Sequence, residues 1–335
     1  MALIKLNNRS SEDNAIHGKR NLLINGAMTL AQRGTSFADP SDDTYSLDRM
    51  HVFNDNDGAF TVTQDTTVPS GEGFYKSIKF DCTTIDGTIA AGQYATLSQR
   101  IEGFNNAVLG YGTSGAKSIV VSFYAKSNLT GTFCYSVRNS ATNRAYIKEF
   151  SLTSANTWER ISFTIPGDTS GTWLVDSGIG SNHQISLSMG STYHGTANQW
   201  NSSNVVATSN QVNFLSSTDN NFFLTGWQME IGDVATPFEH EDIATTLVKC
   251  QRYYQKIWFR ANNIFTDFTG TQYATQSLVN QLRSNGAVTN NITTGANISI
   301  DSMVIVNANT LQITCTSGGS HNNWVTGNIF ADAEL

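Results

Sequence analysis

The stretch FFLTGWQMEIGDVATPFEHEDIATTLVKCQRYYQ, residues 222–255, decides how the chain is read. Phe222 and Leu224, then Trp227, Met229 and Ile231, alternate in the way a half-buried strand requires. Gly232-Asp233 breaks the pattern and Pro237 fixes a bend. Glu239, Glu241 and Asp242 put negative charge where a helix begins, with Asp242 placed to be the N-cap. Ile243, Leu247, Cys250 and Tyr254 follow at spacings of four, three and four, which is one helical face, and Lys249, Arg252 and Lys256 close it with positive charge. A helix of about three turns is not stable alone in water, so this face must be buried. It packs either on its own two domains or, as an a/d-type seam, on other copies about a threefold axis.

Working outward, residues 21–240 read as a jelly-roll β-sandwich, 241–256 as a linking helix and 257–335 as a smaller C-terminal β-sandwich, so the fold class is mainly β. Two-residue alternation is clearest in YKSIKFD (75–81), SIVVSFYA (118–125), TFCYSVR (132–138) and WERISFTI (158–165). In the last of these Ile161, Phe163 and Ile165 share one face. Turn signals at Asp57-Gly58, Asp86-Gly87, Gly131 and Pro166-Gly167 separate the strands. Many short strands at this spacing predict a sandwich, and the length favours a jelly roll. Further on, ISIDSMVIV (298–306) and TLQITCT (310–316) predict a hairpin around Asn307-Ala308-Asn309, and WVTGNIFADAEL predicts the final strand.

The 335 residues suffice for two cores, and a charged fraction of only 14% with abundant Gly, Ser, Thr and Asn suits strands and polar turns. A formal net charge of −7 with no basic run excludes a nucleic-acid partner. Cys82, Cys134, Cys250 and Cys315 show neither zinc spacing nor a disulfide framework, so they are expected to be small buried hydrophobes. The polar N-terminus and the lack of a long apolar run predict a chain made in a cytoplasm and not embedded in a membrane.

No catalytic constellation is visible. Asp42, Asp43, Asp48, Glu102 and Glu159 offer carboxylates, but the sequence gives no reason to pair any two. Asp55-Asn56-Asp57-Gly58 begins like a calcium loop, yet Phe53 and Gln64 stand where ligands are needed, so a hairpin tip is expected instead. His240 has Ala244 at the helical ligand spacing, and no metal or cofactor is predicted. Two stretches suit a sugar, whose apolar faces stack on rings and whose hydroxyls need amide partners. One is SMGSTYHGTANQWNSSN (188–204), with Tyr193 and His194 as ligand contacts and Trp200 as a structural residue. The other is TSGGSHNNWVTG (316–327), with His321, Asn322, Asn323 and Trp324.

The run TGWQMEIGDVATPFE followed by CQRYYQK resembles a segment common in bacteriophage tail-fibre and related virion proteins, where QLE-x-G-x-x-ATPFE leads into a helix ending CQRYY. Met229 stands for the usual Leu. NLLINGAMTLAQRGTSF (21–37), YSLDRM (45–50, with Met50 for the usual Trp) and NWVTGNIFADAEL (323–335) extend the likeness across nearly the whole chain. NLLINGAM also resembles the first strand of carbohydrate-binding-module jelly rolls, which implies that it lies close to residues 222–228. The resemblance implies a phage tail-fibre protein that recognises and adheres to host-surface glycans. It further implies a homotrimer, with residues 1–20 joining the virion through Leu3, Ile4 and Leu6 to other tail or baseplate proteins. The receptor would be a host polysaccharide or an outer-membrane component. A capsid decoration or head-fibre protein, a module serving a polysaccharide depolymerase, and a depolymerase itself are the alternatives. If no metal or disulfide supports folding, chelator plus reductant leaves the melting temperature unchanged; a fall of many degrees contradicts this.

Overall fold

The computed structural model describes residues 20–262, 269–294, 298–318 and 324–335, so Leu3, Ile4, Leu6, His321, Asn322 and Asn323 lie outside the described residues. Two antiparallel sheets enclose the main core. One has six strands in the order β1 (Ser36–Ala38), β4 (Ala59–Asp65), β5 (Ser77–Thr84), β13 (Asn221–Ile231), β7 (Ile119–Ser127), β10 (Glu159–Ile165). The other has seven: β12 (Trp200–Asn201), β9 (Ala145–Leu152), β8 (Gly131–Arg138), β11 (Ile179–Met189), β6 (Tyr94–Glu102), β3 (His51–Asp55), β2 (Thr44–Tyr45). Phe60, Phe80, Phe123, Phe222 and Leu224 of the first sheet share this core with Leu97, Phe133, Tyr135, Ile185 and Leu187 of the second. Burying a Phe or Leu side chain contributes about 1.5–3 kcal/mol, so alternation along each strand orients both sheets.

The smaller domain pairs β14 (Tyr254–Asn262), β20 (Trp324–Asp332) and β16 (Ala287–Asn290), with β17 (Thr293–Thr294) also on β20. Its second sheet runs β15 (Thr269–Ser277), β19 (Thr310–Gly318), β18 (Ile298–Val306). Ile257, Ile305, Leu311, Ile313 and Ile329 are among its core residues. The expected hairpin is present: Val306 pairs with Thr310, and Asn307 and Ala308 take φ of 55° and 56°.

Three local expectations are corrected. The segment after Asn21 is not a strand: Asn25 and Met28 both have φ of 58°, and the chain turns while it lies against β13. Leu22 N donates to Met229 O (2.9 Å) and Trp227 N to Gly26 O (2.9 Å), so the predicted proximity holds without a regular ladder. Gly26 is required there, since a Cβ would sit 2.0 Å from Trp227 O. Asp55-Asn56-Asp57-Gly58 is not a hairpin tip, because β3 and β4 belong to different sheets; it is the turn by which the chain changes layer.

The third correction concerns the linking helix. It runs Ile243–Gln251, and Tyr254 and Lys256 lie in β14. Asp242 caps it as expected, accepting from Ala244 N (2.9 Å) and Thr245 N (3.3 Å). Its buried residues are Thr246 and Cys250, whereas Ile243 is 51% exposed and Leu247 half-buried. Cys250 and Tyr253 pack with Ile24, Leu30 and Leu335 of the same chain. The four-residue seam of Ile243, Leu247, Cys250 and Tyr254 therefore does not form as one face. Two aromatic residues that continue the helical spacing are needed more by the sheet and junction that follow.

That junction gathers the family-like segments. Arg252 forms a two-bond ion pair with the buried Glu102 (2.8 and 2.6 Å), and Tyr253 donates its hydroxyl to the same carboxylate (3.0 Å). Arg49 is 1% exposed; it pairs with Glu334, donates to Arg100 O and lies 3.6 Å over the Tyr253 ring. Arg33 reaches Asp332 (2.9 Å) and stacks on Tyr254 (3.7 Å). Arg283 donates to Ala333 O, Glu334 O and, across the junction, Ser177 O. Glu102 is fully buried while Arg252 is 37% exposed and Tyr253 stays bonded to the carboxylate, so Arg252→Met is expected to lower stability by about 1–3 kcal/mol in urea unfolding, less than for a fully buried pair. Adding Glu102→Gln recovers part of that loss; a single variant as stable as the parent contradicts the junction's role.

Candidate functional site

The outward side of the seven-stranded sheet follows from alternation. On β6 it carries Tyr94, Thr96, Ser98 and Arg100; on β11, Asn182, Gln184 and Ser186; on β8, Cys134, Ser136 and Arg138. The register sets these in rows across the sheet: Arg100–Asn182–Arg138, then His51–Ser98–Gln184–Ser136, then Phe53–Thr96–Ser186–Cys134. An outward sheet face is usually charged and wet, but apart from Arg100 and Arg138 at one end this floor is uncharged and buried. Thr96, Ser136, Asn182 and Gln184 are at most 4% exposed.

Two flanks cover it. On one side the 190–211 loop lies against β8, β9 and β11, packing Val205, Val206 and Ala207 on Cys134, Ala145 and Ile147. Ser186 donates to Val206 O (3.2 Å), and Arg138 Nη1 to the exposed Asn204 Oδ1. On the other side Arg100 reaches Asp43 (2.9 Å) and Leu335 O. Along the rim Phe53, Tyr94 and Tyr193 form a half-buried run of edge-to-face rings, with centroids 6.4 and 5.4 Å apart. Tyr94 donates to Asp42 Oδ2 (3.1 Å), and burial followed by that carboxylate raises its phenol pKa.

Beneath the rim, Thr96 Oγ1, Ser136 Oγ, Asn182 Oδ1, Gln184 Oε1 and Arg138 Nε are buried without a hydrogen-bond partner among the described residues. Buried polar atoms are normally satisfied, and each exception costs roughly 1–3 kcal/mol. Five of them occur on three adjacent strands of one face. Sugar hydroxyls both donate and accept, while rings such as Tyr94 and Tyr193 take the apolar side of a pyranose. The face therefore has the chemistry of a polyhydroxyl site.

A pocket lies elsewhere, lined in part by Asn21, Phe74, Phe238, Glu239 and His240. Its polar groups are already engaged. Glu239 accepts Asn21 N (2.8 Å), and His240 shares a bond with Glu72 O (3.0 Å) while packing on Phe74 and Phe238. Its hydrogen bonding is therefore largely met within the chain.

Among the residues singled out from sequence, Tyr193 belongs to the face. His194 directs Nε2 to Met189 O (3.1 Å) at the end of β11. Trp200 packs with Tyr111, Tyr146 and Trp173 and bonds Pro166 O (3.1 Å), a structural residue as expected. Trp324 starts β20 and is 38% exposed, on the same side of that sheet as Trp258, which is 65% exposed. The five carboxylates considered for catalysis all hold structure: Asp48 binds Gln32, Glu102 binds Arg252, Glu159 caps Thr153 and Ser154, and Asp42 and Asp43 border the face. No group of three or more His, Cys, Asp or Glu able to hold a metal occurs among the described residues. No helix among them is long and apolar enough to cross a membrane.

Sequence reading missed Phe53, Tyr94, Thr96, Ser136, Arg138, Asn182 and Gln184. A signal existed: SNHQISLSM places amides and hydroxyls, and no charge, at its polar positions.

No protein-family model and no curated protein matches the sequence. Among solved structures, the enzymatically active domain of bacteriophage CBA120 tailspike protein 4 aligns at 12% identity and TM-score 0.32, over 63% of this chain and 21% of that one. TmCBM61 in complex with beta-1,4-galactotriose aligns at 11% identity and TM-score 0.31, over 64% and 100%. The CBM22-1 xylan-binding domain of Paenibacillus barcinonensis Xyn10C aligns at 10% identity and TM-score 0.29, over 65% and 100%. The chain thus spans about a fifth of the tailspike's length. The assignment of a mainly β sandwich rests on the strand order above.

Two buried imidazoles give this region a pH signature. His51 lies between Ser98 (3.1 Å) and Asp43 (2.8 Å), and burial pushes its pKa down to about 4. His183 lies between Tyr135 (2.9 Å) and Ser181 (3.1 Å), and burial pushes it to about 3. Both are neutral when folded, whereas the unfolded chain binds their protons below about pH 6.5. Stability is therefore complete above that pH and lost as pH falls toward 4 and then 3; Asp43, lowered to about 2 chiefly by its bond with His51, adds a loss only below its ordinary 3.8. Melting temperature should be flat above about pH 6.5 and fall below it, and His183→Gln should flatten that slope. An unaltered slope contradicts the assignment.

Proposed function

We propose that the chain is a bacteriophage virion fibre protein that adheres to host-surface glycans through the outward face of the seven-stranded sheet. The observation that carries the binding half of this reading is the cluster of buried, unpartnered polar atoms beneath the Phe53–Tyr94–Tyr193 rim. The virion half is supported by the family-like segments and by the way they close on one another at the domain junction. Adhesion needs a rigid surface that recovers its desolvation cost when a ligand arrives, and hydroxyls recover it most directly.

In this reading residues 1–20, with Leu3, Ile4 and Leu6, join a neighbouring tail or baseplate protein, and three copies present three faces. Linked sites raise apparent affinity without new contacts, so each face can bind weakly. Ile243 and Leu247 are the helix residues left to meet a second copy. The carboxylates near the face hold Tyr94, His51 and Arg100, which favours binding over cleavage.

A glycan array probed with the fluorescent chain tests the proposal, with reducing-end release assayed on every glycan bound. Tyr94→Ala and Gln184→Ala are each expected to weaken binding about tenfold or more, as loss of a central contact does. Trp258→Ala and Trp324→Ala should leave it unchanged; if these abolish binding instead, the smaller domain holds the ligand. Release of reducing ends would make the protein a depolymerase.

A further inference from the structure

The buried and half-buried arginines set a standard against which Arg138 stands out, whereas the exposed Arg160 donates only to Thr236 O among the described residues. Arg144 holds Asp168 with its Nε and Nη2 edge, at 2.8 and 2.6 Å. Arg252 holds Glu102 with the same edge, again at 2.8 and 2.6 Å. Arg20, Arg33, Arg49 and Arg100 also pair with carboxylates, and Arg283 distributes its three nitrogens over backbone carbonyls. Arg138 pairs with no carboxylate among the described residues. Its one hydrogen bond runs from Nη1 to Asn204 Oδ1. Its Nε is buried and unpartnered, and its Nη2 makes no hydrogen bond to a described residue.

The surroundings sharpen the point. Burial pushes the Arg138 pKa down to about 10, with Arg100 adding to the effect; the other groups acting on it are the phenols of Tyr193 and Tyr94. Arg100 has Asp43, and Glu149 on β9 is engaged with Thr208 and with Asn210 (3.0 Å). Arg138 is thus a half-buried cation, cross-strand from Asn182, and its carboxylate-binding edge bonds no described residue. A cation taken out of water needs a counter-charge, and charge-assisted bonds are about twice as strong as neutral ones.

We propose that this face selects sugars that carry a carboxylate, uronic or nonulosonic acids, and that Arg138 binds the carboxylate through its Nε–Nη2 edge. The inference rests on the reading of this face as a glycan site. A planar two-oxygen anion matches that edge, as Asp168 and Glu102 do within the protein itself, and Asn182 and Gln184 take the adjacent hydroxyls.

The test is an array printing each acidic oligosaccharide beside its methyl ester, a neutral parent and a sulfated galactan fragment, followed by calorimetric titration of the strongest pair. The acid should bind about tenfold or more tighter than its ester, and the preference should shrink as salt rises. Arg138→Gln should bring the acid-to-ester affinity ratio, measured on the one folded variant, down to about one, and Arg138→Lys should restore only part of it. Equal affinity for acid and ester overturns the carboxylate assignment and leaves the glycan face standing. Sulfated fragments binding as tightly as carboxylated ones overturn the assignment to carboxylates. Binding of no glycan by the folded parent overturns both this inference and the reading beneath it.

Discussion

A single hydrogen-bonded knot holds the large domain closed and aims the chain at the small one. Asn21 Oδ1 accepts Leu23 N and Met229 N (both 3.0 Å), while its Nδ2 donates to Trp227 O (3.1 Å). Gln228 accepts Glu239 N (2.7 Å) and donates to Glu230 (2.8 Å), whose carboxylate in turn takes Thr236 N and its hydroxyl. Glu239 reaches back to Asn21 N. Every member is a side chain bonded mainly to backbone, so the knot fixes where the chain runs. Networks of this kind are useful only when fully satisfied, since one vacant partner exposes the rest to the low dielectric.

The bulge between Thr225 and Gln228 on β13 belongs to the same device. It brings Trp227 O within reach of Asn21 and puts Gln228 under the turn that leads to Pro237. From there the capped helix delivers Arg252 and Tyr253 to Glu102, and residues 332–335 return to Arg33 and Arg49. The family-like segments are therefore one construction: they close a sandwich and dock a second domain on it. None of them supplies the floor of the outward face.

Scaffold and candidate site thus differ in how far their polar groups are satisfied. The side chains of Asn21, Glu230 and Glu102 are bonded on several sides, although Arg20 Nε, Arg49 Nε and Trp227 Nε1 beside them have no hydrogen-bond partner among the described residues. On the face of β6, β11 and β8, buried polar atoms outnumber their partners. A protein that must bind diverse surfaces can vary the second set without disturbing the first, because the register of the sheet is set by the inward residues alone. The same separation explains why Tyr193 counts for the face while its neighbour His194 is tied to the end of β11.

The sequence by itself determined which residues turn inward. Alternation in segments such as 118–125 and 158–165 has a fixed period, and burying apolar surface leaves only one face for it. It also determined the start of the helix at Asp242, because a cap is a bond between near neighbours, and the Asn307–Asn309 turn. The end of the helix was decided elsewhere: Tyr253 and Tyr254 fit the helical period, but Glu102, Arg49 and β20 lie far away in sequence and bind them better. The turn at Asp57-Gly58 was likewise legible as a turn, though not as a change of sheet. Only the tertiary structure decided the candidate site. Its rows combine Arg100, Asn182 and Arg138 from three strands, and whether a polar atom goes unsatisfied depends on every neighbour around it, which no local pattern encodes.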